Sequence, residues 1–417
     1  MITQNKKSGT RYIDISNAKV KKTDNFPVVS LFTGAGGLDI GLEEAGFTTA
    51  VCVEYDTDCR ETLRFNRPEW RLFESGIKVE DGKFVNRVPG DIRDIGVNEL
   101  MEFANLEKGK VSLVVGGAPC QPFSNIGKKL GKDDQRNGDL FLEFVRMVRG
   151  VEPEAFIFEN VVGITQSKHT DVIQYMADKF RGLGYGISHT ILNSANYGVP
   201  QRRERFFMIG IKGVENPAFP FPTNFKDEKH YESFIRDLES TPYKKIKNWV
   251  TVKDAFDNIP EESVLRPDFA LMNISEKVID RMTYIKQGQN FKALPMELRP
   301  DCWKNGKHQG NDTFGRLIES LPSVTIRTAG YNPAKGMYIH PNENRGLSTI
   351  EMAALQSFPY DWTFKVKGRE KVTLVSGGKQ IGNAVPPGLG HAIGLAVMQQ
   401  ILIKNSKSVQ TQSELVA

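Results

Sequence analysis

A chain of 417 residues with 39% hydrophobic and 25% charged side chains is long enough for two domains, or for one large domain with an insertion, and too apolar for a disordered protein. Lys and Arg number 55 against 50 Asp and Glu, a net charge of +5 that falls short of a histone-like excess, so any surface for nucleic acid has to be local. The four cysteines, Cys52, Cys59, Cys120 and Cys302, form no C-x-x-C pair and are too few for a disulfide framework, which makes a reducing cytoplasm the expected compartment.

The first 26 residues are polar and basic and hold no apolar run of the sort a secretory signal needs. No stretch reaches the roughly 18 apolar residues of a membrane span, so the chain is expected to be soluble, not exported and free of membrane contact. VVSLF at 28–32 predicts a short buried strand, TGAGG a glycine-rich turn, and LDIGLEEAGF a helix with Leu38, Leu42 and Ala45 on one face, stopped by Gly46. AVCVEYD at 50–56 and VSLVVGG at 111–117 predict two further strands, the second deeply buried because it is β-branched and apolar. DLFLEFVRMVRG predicts a helix aligning Leu140, Phe144 and Val148, AFIFEN at 155–160 a strand, and TDVIQYMADKFRGLG a helix aligning Val172, Met176, Phe180 and Leu183. Two more strand candidates follow, GISHTILNSANYG and RFFMIGI. Such alternation predicts an α/β fold with a doubly wound, mainly parallel sheet.

After Gly213 the alternation stops, and the chain becomes rich in Pro, Asn, Lys and aromatics, with one clear helix candidate in SEKVIDRMTYIKQG. Helical periodicity returns in GNAVPPGLGHAIGLAVMQQILIK, whose Leu389, Ile393, Val397 and Ile401 share a face expected to cover the sheet. The expected organisation is a loose polar tail over 1–26, a first domain over 27–215, a smaller, irregular second domain over 216–365, a return to the first over 366–402, and a second loose tail over 403–417.

Four places carry residues suited to chemistry. The turn Phe32-Thr33-Gly34-Ala35-Gly36-Gly37 joins a strand to a helix, where backbone N–H groups can meet a polar or charged ligand. Asp39 stands where a dinucleotide fingerprint needs its third glycine, which disfavours a nicotinamide oxidoreductase. Glu54 closes the next strand, where a carboxylate can take both hydroxyls of a ribose, and together these suggest a nucleoside-bearing cofactor. A turn that needs its glycines for backbone reasons alone is the plainer alternative.

Cys120, in GGAPCQPFSNIGKK, lies just past a strand's carboxyl end between Pro119 and Pro122, with Lys128, Lys129 and Lys132 nearby to favour a thiolate. Most free cysteines are instead small buried hydrophobes, as Cys52 inside its strand should be. The loop that follows, with Gly127, Gly131 and Gly138, is suited to move as a lid. Glu159 leaves the buried strand AFIF, where burial can raise its pKa, unless it merely caps the next turn. Gln201-Arg202-Arg203-Glu204-Arg205 leads into the last strand with Arg203 and Arg205 on one side, an arrangement that on a free surface would be only a solvated edge.

In this order, the Gly-rich turn, Pro-Cys-Gln, Glu-Asn-Val and Gln-x-Arg-x-Arg strongly resemble the motifs of the DNA (cytosine-5)-methyltransferases. The resemblance runs from about Val28 to the helix near 402 and takes in ENRGLSTIEMAALQSFP at 343–359 and QIGNAVPPG at 380–388. Residues 220–325 match only loosely, where the family varies its DNA-reading region. The resemblance implies a Rossmann-like, S-adenosylmethionine-dependent fold with a target-recognition domain in the second region. It also implies a site-specific enzyme of bacterial restriction-modification type, which methylates C5 of a cytosine flipped out of duplex DNA.

In that reading Cys120 is the covalent nucleophile toward C6, Glu159 serves the ring N3, Arg205 holds the base O2 and Arg203 braces the region of Cys120 and the phosphate. The methionine end of S-adenosylmethionine lies against Phe32, Gly34 and Gly36, its ribose on Glu54 and its adenine near Tyr55, Asp91 and Ile92, with Pro119, Asn383 and Val385 completing the site and no metal required. Gln121 and Ser124 face the flipped nucleotide, Lys128 rides on the closing loop, and Lys286, Lys292, Arg299, Lys304 and Lys307 are the expected DNA contacts, with Phe291 and Trp303 between them. The expected partner is double-stranded DNA, with a restriction endonuclease as functional counterpart and a monomeric, cytoplasmic enzyme. Two alternatives stay open: an RNA cytosine-5 methyltransferase, disfavoured because no Cys-Phe-Thr signature is found, and a catalytically inactive DNA-binding homologue, disfavoured by intact Cys120, Glu159 and Arg205.

Overall fold

Among the described residues seven strands build the central sheet: β1 (Pro27–Leu31), β2 (Thr48–Val53), β3 (Arg71–Leu72), β4 (Leu113–Gly116), β5 (Ala155–Val161), β6 (Tyr185–Asn193) and β7 (Glu204–Lys212). Their spatial order is β6-β7-β5-β4-β1-β2-β3. The strands from β5 to β3 run parallel, and β7 lies antiparallel between β5 and β6, so the mainly parallel sheet closes with one reversed strand. The computed structural model describes residues 1–16, 25–74, 77–80, 83–86, 88–118, 140–165, 170–241, 246–304, 310 and 312–416.

Strand alternation sorts the core onto two faces. Val29 and Leu31 of β1, Phe156 and Phe158 of β5, and Phe206 and Met208 of β7 pack against the helices α3 (Val97–Ala104), α4 (Leu140–Val151) and α5 (Thr170–Arg181). Phe144 and Val148 of α4 and Val172, Met176 and Phe180 of α5 are buried there, on the faces that periodicity predicts. The residues of opposite parity, Val28, Ala155, Ile157, Phe207 and Ile209, pack against Leu38 and Leu42 of α1 (Gly37–Glu44) and against the long C-terminal helix. Between β2 and β3 lies α2 (Thr57–Asn66), its N-terminus capped by the Asp56 carboxylate, which accepts from the N–H groups of Asp58 and Cys59.

Both expected tails are corrected. Ile2–Gln4 pairs antiparallel with Arg11–Ile13, which pairs in turn with Phe219–Pro220, and Ile13 and Ile15 join the core beneath the sheet. Three-residue strands are too short for alternation to reveal them in a polar sequence. At the other end, after α6 (Glu276–Thr283), α7 (Thr349–Leu355) and α8 (Leu374–Asn383), the helix α9 spans Pro387–Val416 and so continues well beyond 402. Its polar extension has no Gly or Pro to stop it. Leu389, Ile393, Val397 and Ile401 are all fully buried.

Helices α1 and α9 approach so closely that a Cβ on Gly41 would lie 2.2 Å from the Pro387 carbonyl oxygen and 2.4 Å from the His391 nitrogen. Both obstacles are backbone, so the helices must separate to admit a side chain. Gly41→Ala should destabilise the protein by about 1–3 kcal/mol, read as a lower urea midpoint at unchanged slope. An unchanged midpoint would show that the crossing is looser than described.

Beyond Phe221, Phe225 and Leu238, which cluster together, the apolar residues of the irregular region after β7 pack mainly in two places. Met282, Ile285, Phe291, Leu294, Phe314 and Ile339 form a small core of their own, tied by Arg316, whose guanidinium donates to the carbonyls of Met282, Ile285, His340 and Glu343 and to Asn344 Oδ1. Ile326, Tyr338, Leu347, Met352, Phe358 and Trp362 instead pack with Ile40, Cys52, Leu63 and Trp70 from the sheet side.

Candidate active site

The carboxyl ends of β1, β2, β4 and β5 open into a cavity of about 710 Å³, the edge at which open parallel sheets bind ligands. Phe32, Gly34, Glu54, Tyr55, Asp91, Ile92, Asn383 and Val385 all line it, as do Glu159, Asn160, Val161 and Arg205. Glu159 and Arg205, far apart in sequence, thus share one wall because β5 and β7 are neighbours in the sheet. Gly36 and Arg203 are not on the lining. Pro119, Cys120, Gln121, Ser124, Lys128 and Lys307 lie outside the described residues.

The cofactor half is shaped by backbone. Phe32 and Gly34 both adopt positive φ, 55° and 60°, which turns the chain abruptly from β1 toward α1. That turn aims the Gly34 N–H at Glu54 Oε2, 2.6 Å away, while the Asp56 N–H donates to Oε1 at the same distance. Burial raises the Glu54 pKa and the two N–H groups oppose the rise. Each Glu54 oxygen keeps a further lone pair for a hydroxyl. Tyr55, 59% exposed, stands at the mouth, and the buried Ile92 offers an apolar wall. Asp91 accepts from the Arg93 backbone and guanidinium, which hold its carboxyl below the usual range. An apolar slot, a carboxylate at a strand end and a glycine turn fit a nucleoside attached to an amino acid.

At the other end, Glu159 and Arg205 form an ion pair of 3.1 Å, with side chains only 13% and 15% exposed. Parity explains it: Phe207 lies opposite Glu159, and Arg205 is two residues earlier on the same face. Burial raises the Glu159 pKa, opposed by Arg205 and then Arg203, and burial lowers that of Arg205. Asn160 Nδ2 donates to the Ala118 carbonyl at 3.2 Å, and its Oδ1 accepts the Val161 N–H, tying the end of β5 to the chain two residues before Cys120.

Arg203 is fully buried and its Nη1 and Nη2 donate to the carbonyls of Ile326 (2.9 Å) and Gly382 (2.7 Å). Burial pushes its pKa down to about 9. These contacts staple the start of β7 to the second region and to the end of α8. Arg203→Ala should cost about 3–5 kcal/mol, because it leaves two buried carbonyls unbonded and a void. Arg205→Ala should instead lower activity with a smaller loss of stability, and equal midpoints for the two variants would contradict this division.

Among the cations expected to contact DNA, Lys286 and Lys292 are exposed. Arg299 is engaged internally with the carbonyls of Leu294 and Lys292, and Lys304 pairs with Asp301 at 3.0 Å. Sequence reasoning missed two features of the cavity. Lys379 Nζ and Asp56 Oδ2 form a 2.5 Å pair at its rim, and the buried Asp39 stands on its wall. An acid within the apolar stripe LDIGL was the available signal for Asp39. Cys52 and Cys59 are buried and Cys302 exposed. Among the described residues no group of three or more His, Cys, Asp or Glu could hold a metal, and no helix is long and apolar enough to cross a membrane.

Comparison with known proteins adds to this geometry. The profile of C-5 cytosine-specific DNA methylases matches residues 26–399. The chain is 32% identical over 388 residues to the Type II methyltransferase M.PspPI of Psychrobacter sp. (strain TA137), a match covering 92% of this chain and 81% of that protein. Identity is also 32% over 400 residues to the Type II methyltransferase M.Sau96I of Staphylococcus aureus, covering 94% and 79%. Among solved structures, an E. coli prophage chain described as a DNA modification methyltransferase superposes with a TM-score of 0.61 at 22% identity, covering 90% of this chain and 99% of its own, a likeness of fold.

Proposed function

Given that the chain belongs to the C-5 cytosine-specific DNA methylase family and is a DNA (cytosine-5)-methyltransferase, we propose that it methylates a cytosine flipped out of duplex DNA through a covalent bond between Cys120 and C6. The observation that supports this most is the buried Glu159–Arg205 pair at the end of a cavity whose other half suits a nucleoside. Cytosine C5 is a poor nucleophile while the ring stays aromatic. Addition of the Cys120 thiolate to C6 breaks the aromaticity, and a proton from Glu159 to N3 completes an enamine that is nucleophilic at C5. The Arg205 guanidinium faces the charge that develops at O2. Glu54, Tyr55 and the glycine turn would hold S-adenosylmethionine, which when bound would supply the electrophilic methyl group, its S–CH3 bond breaking to leave S-adenosylhomocysteine. After the C5–methyl bond forms, loss of the C5 proton to a base expels the Cys120 thiolate, and N3 returns its proton to Glu159.

Asn160 fits this scheme as a brace, since its bond to Ala118 holds the strand of Glu159 against the chain that leads to Cys120. Base reading is assigned to residues 216–365, where Lys286 and Lys292 lie exposed. Like its Type II relatives by name, the enzyme is proposed to serve a restriction-modification system, protecting host DNA from a cognate endonuclease. Bisulfite sequencing of DNA from a host expressing the chain should reveal protected cytosines at one recurring sequence, and purified protein should label duplex DNA from S-adenosylmethionine. Unmodified cytosines throughout, or transfer to tRNA alone, would overturn the proposal.

A further inference from the structure

The cavity wall carries a charge that methyl transfer leaves unused. Asp39 lies in the first turn of α1, 1% exposed, on the part of the wall formed with Ser30, Thr33 and Gly37. Among the described residues its Oδ1 has no hydrogen-bond partner. The groups that face it are Glu43 one turn further along α1, the Ser30 hydroxyl on β1 and the Cys52 thiol on β2, with Glu54 beyond Cys52 and His391 of α9 on the far side of Gly41. None of these is a fixed cation. Arg67 is engaged with Glu43, and Lys379 at the rim is engaged with Asp56. A buried, half-satisfied carboxylate costs stability in the free protein, and burial, with Glu43 adding to it, pushes the Asp39 carboxyl up to about 7, against the opposing Ser30 hydroxyl and backbone N–H.

Polarity along the cavity indicates what charge would meet it. Glu54, Tyr55 and Asp91 occupy the end suited to ribose and base, and Glu159 and Arg205 the end suited to cytosine, while Asp39 stands beside the glycine turn. We propose that Asp39 is the counter-charge for the α-ammonium group at the methionine end of the cofactor, a role that rests on the S-adenosylmethionine reading above. Asp39 is thereby a binding residue: the carboxylate is ionised by the arrival of the cation and gives up its proton to solvent.

Calorimetric titration of the whole enzyme with S-adenosylhomocysteine, which keeps the ammonium, and with 5′-methylthioadenosine, which lacks the amino-acid portion, tests this without turnover. S-adenosylhomocysteine should bind about tenfold more tightly at pH 8 than at pH 6, because the free carboxyl titrates between them, and binding at pH 7 should release about half a proton, read from the enthalpy in two buffers. Methylthioadenosine should lack this component, since any titration of Glu54 at the ribose affects both ligands alike. Asp39→Asn should weaken S-adenosylhomocysteine about tenfold or more at pH 8 and flatten its pH profile, with methylthioadenosine unchanged. Parallel pH profiles for the two ligands on the wild-type enzyme, or an Asn variant with undiminished affinity, would overturn the inference alone. If the wild-type enzyme bound neither ligand, the cofactor reading itself would fall. The two-ligand comparison on the wild type decides the matter even if the variant does not fold.

Discussion

Glu159→Gln should lower the turnover number for methyl transfer by about 10²- to 10⁴-fold while changing affinity for duplex DNA by no more than a few fold. Glutamine preserves the shape and can still donate a hydrogen bond, but it has no proton to give to N3, and without that transfer the thiolate addition leaves charge stranded on the ring. Glu159 is raised by burial, with Arg205 and Arg203 pulling the other way, so the protonated form persists to higher pH than for an exposed glutamate. Single-turnover rates should be highest below the folded pKa of Glu159 and decline as pH rises through it, and the Gln variant should lose that declining limb. A Gln variant with wild-type turnover, or one with the same pH profile, would remove Glu159 from the proton-transfer role.

The α/β architecture was legible because its strands are short apolar runs and its helices repeat every three to four residues. The apolar run AFIF places Glu159 at a strand's carboxyl end and Arg205 stands at the start of RFFMIGI, but only the family resemblance implies that Glu159 and Arg205 share a site. What periodicity does not encode is strand direction, so the antiparallel insertion of β7 between β5 and β6, which brings those two residues together, became visible only in the fold. The same limit applies to Arg203. Its spacing from Arg205 puts it on the same side of the strand, yet packing decides that its guanidinium serves the carbonyls of Ile326 and Gly382. Charge runs mislead in a similar way, since composition does not distinguish an arginine such as Arg299, consumed by its own loop's carbonyls, from a lysine exposed to solvent. Asp39 entered the sequence reading only as a missing glycine, and its significance depends on burial and on an oxygen without a partner among the described residues.

Cys120→Ala should abolish methyl transfer, because none of the described cysteines can take over. Cys52 and Cys59 are buried with thiol pKa values pushed up by desolvation, and Cys302 lies in the second region, away from the cavity lining. Cys52→Ala should correspondingly leave turnover intact. The claim that a Cys120–C6 bond carries the reaction is tested most directly by incubating the enzyme and S-adenosylmethionine with duplex DNA bearing 5-fluorocytosine at the target base. Fluorine at C5 cannot leave as a proton does, so elimination stops after methyl transfer. The wild-type enzyme should yield a protein–DNA adduct that survives denaturation and maps to the peptide containing Cys120, and the Ala variant should yield none. An adduct that persists in Cys120→Ala, or a wild-type enzyme that methylates ordinary DNA yet is never trapped, would contradict the mechanism.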